Sequence, residues 1–366
     1  MSKSTGEKAT IVTFPDEFAK QEIVGLAKAA GYEVAEIVTQ RRVIKSEYGV
    51  GVGKAQDLQG MVSDNGSTTI IVDESLTSSQ ANKLSTLTHT DVVDRERLIL
   101  NIFARRATTT EAKLQVQLAE LRYELPRARD MVKRSVKGEQ AGFSGMGEFA
   151  VDVKFRALKR QMTFIKEKLE KSKTVRELHT IERRKLGMPF VSLAGYTSSG
   201  KTTLFNRLTS ESKEESPKLF TTLGTTTRSM SFPNSKRKVM LSDTVGFISR
   251  LPTYLVESFK STLDELRYAD LVLLLIDVSE DVDSIGIKLA SCRQVLSELE
   301  VDPNRILLVL NKVDLLRGSG REIDGQPMFK EFSTVKVSAA AGTGLRQLSN
   351  RILDLTSPKR TLPNTK

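Results

Sequence analysis

Soft metal ligands are almost missing: the 366 residues hold one cysteine, Cys292, and two histidines, His89 and His179, far apart in the chain. A single thiol excludes an internal disulfide framework and points to a reducing compartment. That supply of thiol and imidazole also leaves no His/Cys zinc site. Long apolar runs are missing as well. The longest, LVLLLI at 271–276, has the length of a buried strand, against the ~20 residues that a membrane span requires. The opening MSKSTGEKA lacks the apolar core of a secretory signal. The expectation is a cytoplasmic, monomeric protein without a membrane span.

What is present fits a globular protein of two or three domains with charged helices: 39% of residues are hydrophobic and 28% charged. The net charge of +11 is compatible with mere solubility, but also with a polyanionic partner if the charge is concentrated.

Three segments follow one another. Over residues 1–109, short β-branched runs (ATIVTF, YEVAEIV, TTIIVD, TDVVD) alternate with helix-like stretches. This predicts a small α/β domain with a parallel sheet. From Thr110 the pattern changes to apolar stripes at helical spacing. Leu114, Leu118, Leu121, Leu125 and Ala128 form one, and Phe155, Leu158, Met162, Ile165 and Leu169 the other. With the glycine-rich loop 137–150 between them, residues 110–187 read as an antiparallel helical pair. The stripes themselves need no function beyond packing. From Val151 to Gly187 there are twelve Lys/Arg against five Asp/Glu. A solvated face usually mixes both signs, so this concentration favours RNA contact through phosphates, with Lys154, Arg156, Lys159, Arg160 and Lys166 as candidates. With only Phe155 and Phe164 nearby, backbone or shape recognition is expected rather than base stacking.

Residues 188–357 carry the chemistry, and 358–366 form a short basic tail. GYTSSGKTT, residues 195–203, has the spacing Gly195-x-x-x-x-Gly200-Lys201-Thr202 between an apolar strand and a helix. In such a loop the backbone N–H groups of Tyr196, Thr197, Ser198, Ser199 and their neighbours, through Thr203, close around phosphate oxygens. Lys201 would bridge the β- and γ-phosphates and the Thr202 hydroxyl would bind Mg2+. Asp243-Thr-Val-Gly246 follows a strand and fits a carboxylate at the magnesium shell and an N–H that meets the γ-phosphate. Asn311-Lys312-Val-Asp314 ends another strand. The Asp314 carboxylate can accept from guanine N1–H and the 2-amino group, donors that adenine lacks, and so select GTP and GDP. Ser338-Ala339-Ala340 would meet guanine O6 through the backbone. Four such motifs in this order, each at a strand end, predict a doubly wound α/β GTPase domain with its ligand at the carboxyl edge of the sheet. In many GTPases a water-orienting glutamine follows the switch glycine; here Phe247 stands in that place.

The third segment resembles the translation-factor-related GTPases. The stretches LFTTLGTTTR, DTVGFISRLP and SFKSTLDELRYADLVLLLIDVS are similar to those of the HflX family, as are GVGKAQDLQ, DRERLILNIFARRA and EAKLQVQLAELRYELPRAR upstream. The resemblance implies a GTPase that binds the ribosome, mainly its large subunit and rRNA, and acts as a switch in ribosome splitting, rescue or biogenesis. It also implies a mobile threonine that sees Mg2+ and the γ-phosphate; Thr226 is the best positional match, with Thr227 next. Catalysis would then rest on Lys201, Thr226 and Gly246, and slow intrinsic hydrolysis would be stimulated by the ribosome. Many relatives have asparagine where this chain has Ser198. Two other functions are compatible with the sequence. One is an occupancy factor whose hydrolysis is incidental. The other is ATP-dependent RNA remodelling by the N-terminal domain, where GVGVGK at 49–54 superficially resembles a phosphate loop but reads as a tight turn.

Overall fold

The computed structural model describes residues 6–41, 46–138, 146–185, 187–209, 220, 225–233, 235–316, 323 and 325–357. The chain divides into two compact units, one of residues 1–172 with 218–220, the other of 173–217 and 221–366.

The first unit alternates β1 (Glu7–Thr13), α1 (Glu17–Ala30), β2 (Tyr32–Thr39), α2 (Val52–Asn65), β3 (Thr69–Val72), α3 (Ser78–Thr88), β4 (Asp91–Asp94) and α4 (Arg95–Arg106). The strands pair in parallel in the order β2-β1-β3-β4. Local chemistry marks the helix starts: Asp16 accepts from Ala19 N–H, Thr77 and Gln80 form a capping box, and Asp94 accepts from Arg97 N–H. One face of the sheet packs Val12, Ile70 and Val72 against Leu58 and Leu84. Gly49 of GVGVGK turns at φ +72° just before α2.

Two long helices follow, α5 (Thr110–Gly138) and α6 (Met146–Lys185). Their apolar stripes meet: Leu118, Ile165 and Leu169 are buried together, with Leu114, Leu121 and Met162 around them. Glycine-rich-loop residues 139–145 lie outside the described residues, as does the basic tail 358–366. Tyr123 and Arg127 join α5 to the sheet. Tyr123 Oη donates to Asp94 Oδ1 at 3.1 Å, and Arg127 Nη2 to Asp94 Oδ2 at 2.6 Å and to the Leu76 carbonyl at 2.7 Å. The guanidinium of Arg127 also stacks 3.4 Å from the centre of the Tyr123 ring. In the same unit Phe220 is buried, its ring meeting Phe103 of α4 edge to face at 4.8 Å.

The second unit contains β5 (Phe190–Gly195), α7 (Lys201–Thr209), β6 (Thr226–Phe232), β7 (Ser235–Asp243), α8 (Thr253–Ser258), α9 (Lys260–Arg267), β8 (Leu271–Asp277), α10 (Val282–Glu298), β9 (Ile306–Asn311), β10 (Ser333–Lys336) and α11 (Leu345–Leu355). The sheet order is β10-β9-β8-β5-β7-β6, parallel except for the β6–β7 hairpin. The central strands β5 and β8 are buried along their whole length, as a sheet covered on both faces requires. The phosphate loop, Asp243, Asp277 and Asn311 therefore all emerge at one carboxyl edge of the sheet, beside the central strand.

Candidate nucleotide site

The loop from Gly195 to Thr203 leaves β5 and enters α7. Gly200 stands at φ +94°, and a Cβ there would lie 2.3 Å from Asn311 Nδ2, so the position accepts only glycine. Ser198 is held at φ +62°, a left-handed backbone that asparagine tolerates better than most residues. Lys201 is buried, and its ammonium donates to the carbonyls of Gly195 at 3.0 Å and Tyr196 at 2.8 Å. Two of the three ammonium donors thus brace the loop, and the third is what a phosphate oxygen would take. Burial lowers the Lys201 pKa to about 8, against the opposing pull of the Asp243 carboxylate.

Thr202 Oγ1 donates to Asp243 Oδ2 at 3.1 Å. A hydroxyl and a fully buried carboxylate form a hard, all-oxygen donor pair. The pair suits Mg2+, which takes one or two protein ligands and completes its shell with phosphate oxygens and water. Thr226 opens β6 directly opposite Asp243 in the hairpin register. Paired residues share a face of the sheet, so Thr226 and Asp243 are on one side, and Thr227 and Ser242 on the other.

The switch segment after Asp243 lies tight on the phosphate loop. A Cβ on Gly246 would be 3.0 Å from Thr197 Cγ2 and 3.1 Å from Lys201 Nζ, so a side chain there would press into the lysine. Phe247 N–H donates to the Gly195 carbonyl at 3.0 Å, and Thr197 N–H donates to the Phe247 carbonyl at 2.8 Å. The Phe247 ring is 1% exposed. It is a core side chain, while its backbone closes the loop. Tyr196 Oη accepts from Ser249 N–H at 2.6 Å, tying the same two segments together a second time.

On the base side, Asn311 acts as a strut. Its Nδ2 donates to the Ser199 carbonyl at 2.8 Å, and its Oδ1 accepts from Ala339 N–H at 3.0 Å, so it joins the phosphate loop to Ser338-Ala339-Ala340. Ser338 Oγ accepts from Ala341 N–H, and the Ala340 carbonyl accepts from Arg207. Lys312, at φ +67°, reaches Asp277 Oδ2 at 2.5 Å. Asp314 differs from these. Among the described residues its buried Oδ1 accepts no hydrogen bond. A buried carboxylate oxygen left without a donor is costly, and the N1–H and 2-amino donors of guanine would relieve it.

Lys154, Arg156, Lys159, Arg160 and Lys166 are all exposed on α6. Lysines already lie over both nearby aromatic rings, Lys159 over Phe155 at 4.6 Å and Lys168 over Phe164 at 4.4 Å. These pairs reinforce the positive face rather than offer bare rings to bases. The carboxyl edge of the first sheet is filled differently. Buried Arg95 donates to Asp73 Oδ1 at 2.7 Å and to Glu22 Oε2 at 2.6 Å, and Thr13 donates to Asp73 Oδ2 at 2.6 Å. Burial opposes the charge on Arg95, but the two carboxylates outweigh it and hold the guanidinium pKa above its usual value. This edge is occupied by Arg95 with its two carboxylates and by Tyr123 and Arg127 from α5.

Three family models match in chain order: one described as GTP-binding GTPase N-terminal over residues 17–104, one as GTP-binding GTPase Middle Region over 106–183, and one as 50S ribosome-binding GTPase over 190–312. The GTPase HflX of Thermococcus kodakarensis is 40% identical over 307 residues, 84% of this chain and 69% of that protein. The chain belongs to the HflX family of GTPases. The Escherichia coli member is 37% identical over 90% of this chain and 76% of its own length. Among solved structures, SsGBP in complex with GDP is 27% identical with a TM-score of 0.54, covering 96% of this chain and 98% of that one. A GTP-binding protein from Sulfolobus solfataricus with GDP is 26% identical at a TM-score of 0.50, with the same coverage. This HflX-family chain is thus a P-loop GTP hydrolase that binds guanine nucleotide. No helix among its described residues is long and apolar enough to cross a membrane.

Two residues of the stretch SFKSTLDELRYADLVLLLIDVS make contacts that its sequence did not assign. Asp277 ends the buried run LVLLLID and holds both Lys312 and Ser279, whose N–H donates to its Oδ1 at 3.0 Å. A carboxylate closing an otherwise apolar strand was the available sign. Glu265 of α9 sits in LDELRY, where nothing in the pattern separates it from an ordinary helical acid.

Proposed function

We propose that this GTPase is a ribosome-binding switch that acts on the large subunit, in splitting, rescue or biogenesis of ribosomes, and hydrolyses GTP slowly until the ribosome stimulates it. The observation that carries this reading is Phe247. The phosphate, magnesium and guanine positions are assembled from other residues, yet the place of the water-orienting side chain is taken by a ring buried in the core. Lys201 would bind the β- and γ-phosphates, Thr202, Asp243 and Thr226 would hold Mg2+, and Gly246 N–H would meet the γ-phosphate. When bound, Mg2+ neutralises charge between the phosphates. For their part, the residues of the chain fix the phosphates and hold the switch glycine close to Lys201. A site complete for binding but lacking a water-orienting group is slow alone, on the scale of about 10⁻⁴ to 10⁻² s⁻¹ for unaided GTPases. The exposed cationic face of α6 supports a phosphate-rich partner, and the family model over residues 190–312 is described as ribosome-binding.

Co-sedimentation with purified ribosomal subunits tests this reading, comparing nucleotide-free protein, GDP and a non-hydrolysable GTP analogue. Retention on large subunits that strengthens with the analogue is the expected result. Equal retention in all three states would replace the switch by an occupancy factor whose hydrolysis is incidental.

A further inference from the structure

The nucleotide motifs account for one face of the β6–β7 hairpin, the face of Thr226 and Asp243. The opposite face carries a connection that no motif announces. Glu265 of α9 accepts a hydrogen bond from Thr225 Oγ1 at 3.0 Å through one carboxylate oxygen, and from Ser242 Oγ through the other. Ser242 is fully buried, and Glu265 and Thr225 are half-buried. Ser242 directly precedes Asp243, and Thr225 directly precedes Thr226. One carboxylate therefore ties α9 to Ser242 in β7 and to Thr225 just before β6, the positions adjacent to the two residues that would see the metal.

The alternation of a strand converts this into a positional constraint. A slip of one residue in the pairing of β6 with β7 would move Thr226 off the face of Asp243. Thr226 opens β6, where an antiparallel ladder frays most readily, and it has no partner residues before it in the strand to hold it. Bonds to an ionised acceptor are about twice as strong as those between neutral groups.

We propose that Glu265 is a positioning residue of the GTP site, which anchors the start of β6 through Thr225 and the end of β7 through Ser242 and so keeps Thr226 beside Asp243. The inference rests on the reading of Thr226 as a metal-facing residue. It touches neither nucleotide nor metal itself; it acts through the register.

The test uses the full chain with Glu265→Leu, Glu265→Gln, Thr225→Val and Thr226→Ala. Two readouts are taken: hydrogen exchange of the 226–228 amides in nucleotide-free protein, and the Mg2+ concentration that half-saturates tight binding of a fluorescent GTP analogue. Thr225→Val, which loses one bond to the carboxylate, speeds the exchange and raises the Mg2+ requirement by about tenfold, and Glu265→Leu, which loses both, does so by more than about tenfold. Glu265→Gln recovers most of both, since its amide can accept from one hydroxyl and donate to the other. Thr226→Ala raises the Mg2+ requirement without speeding exchange. Exchange and Mg2+ requirement within twofold of the parent in Thr225→Val overturn the anchor, even if Glu265→Leu fails to fold. A Mg2+ requirement unchanged in Thr226→Ala but raised in the Glu265 and Thr225 variants overturns the Thr226 reading and leaves the anchor standing.

Discussion

Replacing Phe247 by glutamine restores, on paper, the residue that many GTPases use to orient water. The structure predicts the opposite of a gain. The ring is 1% exposed, and the backbone of Phe247 is bonded on both sides to the phosphate loop, to Gly195 and Thr197. Removing a buried phenylalanine side chain forfeits about 1.5–3 kcal/mol of apolar burial. Placing an amide in the same space without partners adds about 1–3 kcal/mol. If the segment instead peels away to expose the glutamine, two backbone hydrogen bonds are lost, at about 0.5–1.5 kcal/mol each, and the apolar loss remains. Either route costs about 2.5–6 kcal/mol, a large share of the ~5–15 kcal/mol that holds a domain together. The chain has no tryptophan, so urea unfolding is best followed by circular dichroism. Phe247→Gln is expected to unfold at clearly lower urea with an unchanged slope, and to hydrolyse GTP no faster than the parent without ribosomes. Phe247→Leu is expected to keep most of the stability. A Phe247→Gln protein of parental stability and faster intrinsic turnover would show that the ring is not needed in the core and that the side chain at this position can orient water.

Asp314→Asn is expected to lose its preference for guanine and accept xanthosine nucleotides, read by competition binding; unchanged guanine selectivity would remove Asp314 from the base site. Lys201 carries a pKa lowered to about 8, and nucleotide phosphates would restore its charged form. Nucleotide binding near pH 8 is therefore expected to take up about half a proton, measured by calorimetry in buffers of different ionisation heat. Between the folded value near 8 and the unfolded value of about 10.4 the unfolded chain binds more protons, so stability rises with pH across that window. Arg95→Met leaves Glu22 and Asp73 buried without their cation and is expected to cost about 3–5 kcal/mol, read in the unfolding of the first unit.

Much of this was legible in the residues, for physical reasons that differ from place to place. The strands of the first sheet announce themselves as short β-branched runs, and the stripes of α5 and α6 meet as their helical spacing requires. The nucleotide motifs are legible because each sits at a strand end, where the fold has no choice but to bring them together. What could not be read were long-range pairings that leave no periodic trace. Glu265 and Ser242 are 23 positions apart in the chain and joined by one carboxylate. The strut role of Asn311 depends on Ser199, 112 positions away. Phe247 was conspicuous as a departure, but only the fold shows that its ring belongs to the core and its backbone to the phosphate loop. The charge on α6 could be counted, whereas the pairing of its lysines with Phe155 and Phe164 could not.

The central claim, a complete guanine-nucleotide site that waits for its partner, is tested most directly by single-turnover GTP hydrolysis with and without purified large ribosomal subunits. Slow turnover by the free protein is expected, with a rise of more than about tenfold on adding large subunits, on a scale where groups supplied in trans contribute about 10³–10⁵. The rise is expected to shrink when Lys154, Lys159 and Lys166 are replaced together by glutamine. A rate that large subunits leave unchanged, or a free protein already turning over at the stimulated rate, would contradict it.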